Sequence, residues 1–342
     1  MKRHLILAEL ASTPWAMAPE YLTSFSAVLH RWAAGAPATP GVMADVQAAQ
    51  AARAARRQSN ANIGGGIAVL PLYGVLTQRA SLVDDISGSG GTSTQRFSQA
   101  FRDAMDDDAV SGIILDIDSP GGSVFGTAEL ASEIMDARGK KPVFGFVNSL
   151  CASAAYWIGS ACAELYITQG GQAGSIGVYM EHVDISKAME MSGLKSEYIQ
   201  AGKFKTEGNP YGPLTDEARG FMQSQIDAYY KAFTSAVAKG RGVPVATVRD
   251  GMGQGRCLMA ADAVSEKMVD GIDTMDGVIA RMSKAIRGGP GARADVLAPE
   301  IGADSQAAQP SAEVAQPADP TPQADSAARR AARRRALEIA SL

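Results

Sequence analysis

The stretch 112-GIILDIDSPGGSVFGTAELASEIMDARGK-140 reads as a strand, a glycine turn and a helix in immediate succession. GIILDI is an unbroken apolar run of the kind buried in a parallel sheet. Pro120 breaks it, and Gly121 and Gly122 accept backbone angles closed to other residues. A helix expected from about Val124 would aim its free amides back at this turn. Such a turn either joins a strand to a helix and does nothing more, or presents N–H groups to a developing oxyanion. It is not a Walker loop, because no Gly-Lys-Ser/Thr follows, and the G-x-G-x-x-G dinucleotide spacing is absent.

Outward from this unit the alternation continues. The run 66-GIAVLPLYGVL-76 reads as a strand pair or a bent strand interrupted by Pro71. Helical spacing follows in 95-QRFSQAFRDAMDD-107, with Thr94 as its expected cap. Strands are expected at 142–148 and 164–168, with a helix-like 152-ASAAYWIGSAC-162 between them, and strand-like runs again at 178–185 and 196–202. A long helix should start at the cap Thr215 and run to about residue 242, and another should cover 259–269. Repeated β-β-α or β-α-β units imply an α/β fold around a mainly parallel sheet, with right-handed crossovers.

Composition divides the chain into three: 1–65, a helical extension and Ala-rich linker; 66–287, the α/β body; and 288–342, an Ala/Pro/Gln/Asp-rich linker ending in an Arg-rich helical segment. The 342 residues carry 46% hydrophobic and 20% charged side chains, ordinary for a globular protein. A net charge of -4 argues against a general nucleic-acid binder, leaving only weak electrostatic contact through the Arg-rich tail. Three cysteines, Cys151, Cys162 and Cys257, match no zinc spacing and no disulfide framework, so neither metal nor cofactor is expected. No segment reaches the ~20 apolar residues of a membrane helix, and the expectation is a cytoplasmic protein without membrane insertion.

The chemistry concentrates in 143-VFGFVNSLCASAAYWIGSACAELYI-167, where Cys151 and Ser153 lie between a strand and a small-residue helix. Ser153 is either a helix cap or a nucleophile beside the helix's first amides. Cys151 and Cys162 read as small buried hydrophobes. Only three histidines exist, and His4 and His30 lie outside the body; His182 reads as structural or surface. A lysine can activate serine instead, provided that it is neutral and at least partly desolvated. Lys203 and Lys205 in 196-SEYIQAGKFKTEGNPYGPLT-215 are both available, and two lysines two apart in an extended segment point opposite ways. Spacing does not choose between them. Asp116 and Asp118 lack His or Cys companions and read as structural.

DSPGG, NSLCASAAYWIGSACAELYIT, GGQAGSIGVY and AGKFKTEGNP occur in the order seen in the signal peptide peptidase A family of serine peptidases, and the resemblance covers about residues 66–280. It implies a Clp-protease/crotonase-like fold and a Ser–Lys dyad without histidine. By this resemblance Ser153 is the nucleophile and Lys205, rather than Lys203, the base. The N–H groups of Gly122 and Ala154 are then the oxyanion donors. Gly121, Ser123, Gly174 and Ser175 are the matching groove positions. Ala154-Ala155 stands where many members have a glycine pair. STPWAMAPEYLTSF and KTEGNPYGPLTDEAR resemble the phage head maturation branch, which implies polypeptide substrates and capsid, portal or scaffold partners in the host cytoplasm or an assembling procapsid. The resemblance further implies a homo-oligomer, which the apolar residues of the 215–240 helix support. Other readings are a cellular or prophage signal-peptide-peptidase-like protease, a crotonase-type acyl-CoA enzyme, and a capsid assembly protein without catalysis.

Overall fold

The computed structural model describes residues 13–23, 66–79 and 91–288. Expectations for the Ala-rich linker and for the Arg-rich tail fall outside these residues. The first strand, β1 (Trp15–Met17), is followed by β2 (Ile67–Tyr73), β3 (Leu76–Thr77) and β4 (Thr92–Ser93). Helix α1 (Thr94–Asp106) leads to β5 (Gly112–Ser119) and β6 (Gly121–Ser123). Then come α2 (Thr127–Ala137), β7 (Val143–Ala152), α3 (Ala154–Gly159), β8 (Glu164–Ile167) and β9 (Gln172–Gly174). The remainder is α4 (Ser186–Met191), α5 (Asp216–Arg241), α6 (Val245–Asp250), β10 (Cys257–Met259), α7 (Ala260–Ser265), β11 (Gly271–Ile272) and α8 (Met275–Gly288).

The main sheet runs β10-β9-β7-β5-β2, with β8 pairing both β7 and β11, and only the β9–β10 pair is antiparallel. This is the mainly parallel α/β sheet that the alternation implied. Side chains on β5 alternate between two cores. Ile113, Leu115 and Ile117 face the helices α1, α2, α3 and α5, whereas Ile114 joins Ile67, Val69, Phe144 and Phe146 under α8 through Val278 and Met282. Pro71 does not interrupt β2. Among the described residues the strand is an edge paired with β5 alone, so its missing N–H costs no ladder bond there.

Several sequence expectations are corrected. Ser93, not Thr94, caps α1, its hydroxyl accepting from Arg96 N at 3.3 Å. The helix expected from about Val124 begins at Thr127; β6 intervenes, so the glycine-turn amides belong to a strand rather than to a helix end. No strand forms at 196–202, and 178–185 supplies only an isolated bridge at Tyr179. Among the described residues 196–202 meets no neighbouring strand, and 178–185 meets β1 only through the Tyr179–Trp15 bridge. Thr215 does cap α5, its hydroxyl accepting from Ala218 N at 3.2 Å.

Arg138 fastens the turn after α3 to the long helix. Its guanidinium donates to Ala161 O at 2.7 Å, Ser160 O at 3.0 Å and Gly240 O at 3.1 Å, and also to Cys162 O. Trp157 of α3 stacks on Phe233 of α5 with ring centroids 4.6 Å apart. The apolar residues of α5 therefore divide. Phe233 is fully buried in the subunit's own core, whereas Phe221 near the start of the helix is 55% exposed.

Candidate active site

β5 and β7 are adjacent parallel strands, and the register pairs Ser119 with Cys151. Their carboxyl ends therefore emerge side by side, the edge at which open α/β sheets place ligands. DSPGG leaves β5 there, and Ser153 leaves β7 there.

Ser153 has φ 54° and ψ -115°, one of the few non-glycine residues with positive φ. Such a conformation costs on the order of 1–3 kcal/mol and persists only where the surroundings impose it. Here its N–H donates to Gly174 O at 2.7 Å and its carbonyl accepts from Trp157 N at 2.9 Å, opening α3. The Ser153 residue is 1% exposed, and its hydroxyl makes one long bond, to Gly177 O at 3.4 Å. A helix cap would bond an amide of α3; this hydroxyl caps nothing. The hydrogen bonding of the helix-cap reading is therefore not met.

The glycine turn closes on the same point. Gly121 has φ 94°, and a Cβ placed there would lie 2.8 Å from Ala152 O and 3.0 Å from Ala154 N. A Cβ on Gly122 would lie 1.9 Å from Leu76 O. Only backbone fits at either residue, and the absence of side chains lets the β6 amides approach the first amide of α3. Gly121, the neighbour of the expected donor Gly122, thus packs against the amide of the other expected donor, Ala154. The Gly121 N–H is already engaged, donating to Ser119 Oγ at 3.2 Å.

The groove positions flank this centre. Ser123 is buried in β6, and its hydroxyl accepts from Phe125 N at 3.1 Å. Gly174 holds the Ser153 amide, and Ser175 (φ 54°) donates its N–H to Arg256 O at 2.9 Å. Cys151 is fully buried, and burial pushes its thiol well above the usual range, which disfavours a thiolate nucleophile. Cys162 is pushed up to about 12, also mainly by burial.

The lysines stand apart from this cluster. Lys205 lies in an exposed turn, its backbone N–H donating to Gly202 O at 3.1 Å, and among the described residues no hydrogen bond joins it to Ser153. Lys203 is paired with Glu217 at 2.8 Å and lies 4.5 Å from the centre of the Phe204 ring. His182 does not bond Ser153 either; it lines a cavity of about 380 Å³ with Val178, Met180 and Arg219, and its Nε2 has no partner there. Asp116, read from the sequence as structural, is buried in β5 upstream of the turn. The Asp116 carboxylate accepts from Tyr73 Oη and from Asn148 Nδ2 at 3.3 Å, a cross-strand pairing that periodicity does not reveal.

Residues 136–287 match the model of Peptidase family S49, a span that includes Ser153 and Lys205. The chain carries a peptidase S49 domain. It is 36% identical over 197 residues to the capsid assembly protease C of Escherichia phage lambda, covering 57% of this chain and 44% of that protein. It is 31% identical over 306 residues to the head-tail preconnector protein GP5 of Enterobacteria phage P21, covering 84% of this chain and 60% of the other. The chain thus spans about half the length of these curated relatives. A putative signal peptide peptidase SppA of Enterococcus faecium is 28% identical, over 56% of this chain and 55% of that protein. Among solved structures, the 1510-N membrane-bound stomatin-specific protease aligns with a TM-score of 0.40 at 14% identity, covering 64% of this chain and 86% of that one. No helix among the described residues is long and apolar enough to cross a membrane.

Proposed function

We propose that the chain is a serine endopeptidase in which Ser153 attacks the scissile carbonyl and Lys205 is the general base. The observation that carries the reading is the strained, uncapped Ser153 set against the Gly122 and Ala154 amides, inside an S49 domain. In the first step the Ser153 proton passes to Lys205 as Oγ bonds the carbonyl carbon. The two amides hold the oxyanion, and the C–N bond breaks as Lys205 returns the proton to the leaving amine. Water, deprotonated by Lys205, then releases the acyl group. The names of the phage relatives support a substrate among the capsid, portal or scaffold polypeptides of an assembling head.

Lys205 must move into the site for this chemistry. The segment that carries it exposes Met191 (85%), Leu194 (61%), Ile199 (102%) and Phe204 (53%). An apolar face of this size favours burial in an interface. The reading is therefore a homo-oligomer whose assembly packs this segment and seats Lys205 beside a Ser153. A crotonase-type mechanism would need a carboxylate base near the glycine turn, and Asp116 there is already engaged by Tyr73 and Asn148.

The test is covalent labelling with a fluorophosphonate, mapped by mass spectrometry. A single adduct on Ser153, lost in Ser153→Ala and suppressed in Lys205→Ala, is expected. Labelling elsewhere, or full proteolysis by Lys205→Ala, would sink the assignment.

A further inference from the structure

Next to Ser153, the groove is already filled by the chain itself. Strand β1 pairs antiparallel with β6 in the register Trp15↔Ser123, Ala16↔Gly122 and Met17↔Gly121. Bonds from Ala18 N to Pro120 O at 3.0 Å and from Val124 N to Pro14 O at 3.1 Å fix the phase of the ladder. Hydrogen-bonded pairs alternate along such a ladder, so Ala16 and Gly122 form the next one. The Gly122 N–H, the proposed oxyanion donor, is therefore directed at the Ala16 carbonyl. A Cβ at Gly121 would lie 2.3 Å from Ala16 O and 3.0 Å from Ala154 N, which places that carbonyl oxygen by the second donor as well.

The opposite edge of β1 is also held. Trp15 N donates to Tyr179 O at 2.9 Å and Tyr179 N to Trp15 O at 3.0 Å. An extended segment clamped on both edges, with one carbonyl at the oxyanion donors, is how a peptide adds to a sheet as a bound strand. Ala16 is 0% exposed, so the position before the aligned bond holds a small side chain and is enclosed.

We propose that Pro14–Ala18 occupies the substrate groove as an intramolecular substrate and that Ala16–Met17 is a self-cleavage site. The inference rests on the serine-peptidase reading of Ser153. Once a lysine is seated, Ser153 Oγ bonds the Ala16 carbonyl carbon and the Ala16–Met17 C–N bond breaks. The Met17 nitrogen receives the proton and becomes a new amino terminus. Water then hydrolyses the acyl-serine, leaving Ala16 with a free carboxylate and regenerating Ser153. Until that happens the strand blocks other substrates. Being tethered, it competes at an effective concentration on the order of millimolar. The groove also selects, by the same contact, polypeptides with a small residue before the cut.

Intact mass and amino-terminal sequencing of the purified full-length chain test this, with fluorophosphonate labelling of Ser153 in parallel. A product beginning at Met17 is expected to accumulate in the wild type and to be absent from Ser153→Ala. Met17→Pro, which converts the aligned bond to a proline amide, should retain residues 1–16. It should also be labelled at least about tenfold more slowly than the cleaved wild type, because the strand still fills the groove. A wild-type protein that is labelled at Ser153 and digests added denatured casein, yet keeps its terminus or is cut at another bond, would overturn the proposal. Failure of both labelling and casein digestion would overturn it together with the peptidase reading.

Discussion

From Cys151 to Cys162 every residue around the nucleophile is buried, whereas from Glu181 to Tyr211 no residue is. The first region is held by sheet register, by glycines with no space for a side chain, and by backbone bonds to Ser153. The second makes few contacts with the rest of the subunit and exposes side chains such as Ile199 and Phe204. The contrast separates two requirements of acyl transfer. Oxyanion stabilisation needs donors fixed in advance, and the folded subunit supplies them. A lysine base needs a dry surrounding, which one exposed turn does not supply.

Substitution of the two proposed dyad residues probes this contrast most severely. Ser153→Ala should lower peptide cleavage by as much as about a millionfold, the scale seen when a serine peptidase loses its nucleophile, with circular dichroism unchanged. Lys205→Ala should be comparably inactive in peptide assays, although Lys205 touches nothing catalytic in the isolated subunit. Activity retained there would break the comparison. Mixing the two inactive variants sharpens it: partial recovery of cleavage, read together with light scattering, is expected where assembly seats the lysine of one copy at the serine of another.

A smaller loss is expected from Gly122→Ala. Its Cβ would meet Leu76 O at 1.9 Å, so β6 must shift and the donor with it. Activity should fall about 100–1,000-fold, and denaturant unfolding should show a stability loss on the order of 3 kcal/mol. Alkylation with iodoacetamide at pH 8 should leave Cys151 unmodified and cleavage intact. Burial raises the Cys151 pKa well above 9.0, so the reactive thiolate is depleted at that pH, and peptide mapping checks the site. Among the substitutions, Lys203→Ala has the smallest effect. Its ion pair with Glu217 is exposed on both sides, and kcat/KM should stay within about threefold of wild type.

The buried region was the legible one. GIILDI and VFGFV are apolar runs whose burial follows from composition, and DSPGG carries its turn chemistry in its letters. Ser153 could be singled out but not distinguished from a cap, because that depends on a backbone angle and a hydroxyl partner. Two classes of error have physical causes. The strand-like run at 196–202 is not paired among the described residues, because local composition does not say whether a neighbour exists to pair with. Strand β6 was read as part of the turn before a helix expected from about Val124, because three residues are too few to show periodicity. The choice of Lys205 over Lys203 came from resemblance alone, and neither lysine reaches Ser153 in the subunit. The docking of Trp15–Met17 against β6 was not legible at all, since it joins segments separated by about a hundred residues through backbone atoms that carry no side-chain signature.

The stacked pair Trp157–Phe233 gives the long helix a mechanical role. Phe233 is a clamp under the helix that follows Ser153, and Asp216 begins the same helix directly after the lysine segment. Between them α5 is a stiff rod of roughly 25 Å, at about 1.5 Å per residue. Such a rod is anchored at Phe233 and also rests on the subunit near its start, through the buried Ala218. A tilt of about 5° at Phe233 displaces the far end by roughly 2 Å over that length. A displacement where α5 begins is thereby transmitted to the Trp157–Phe233 stack beneath the helix that follows Ser153.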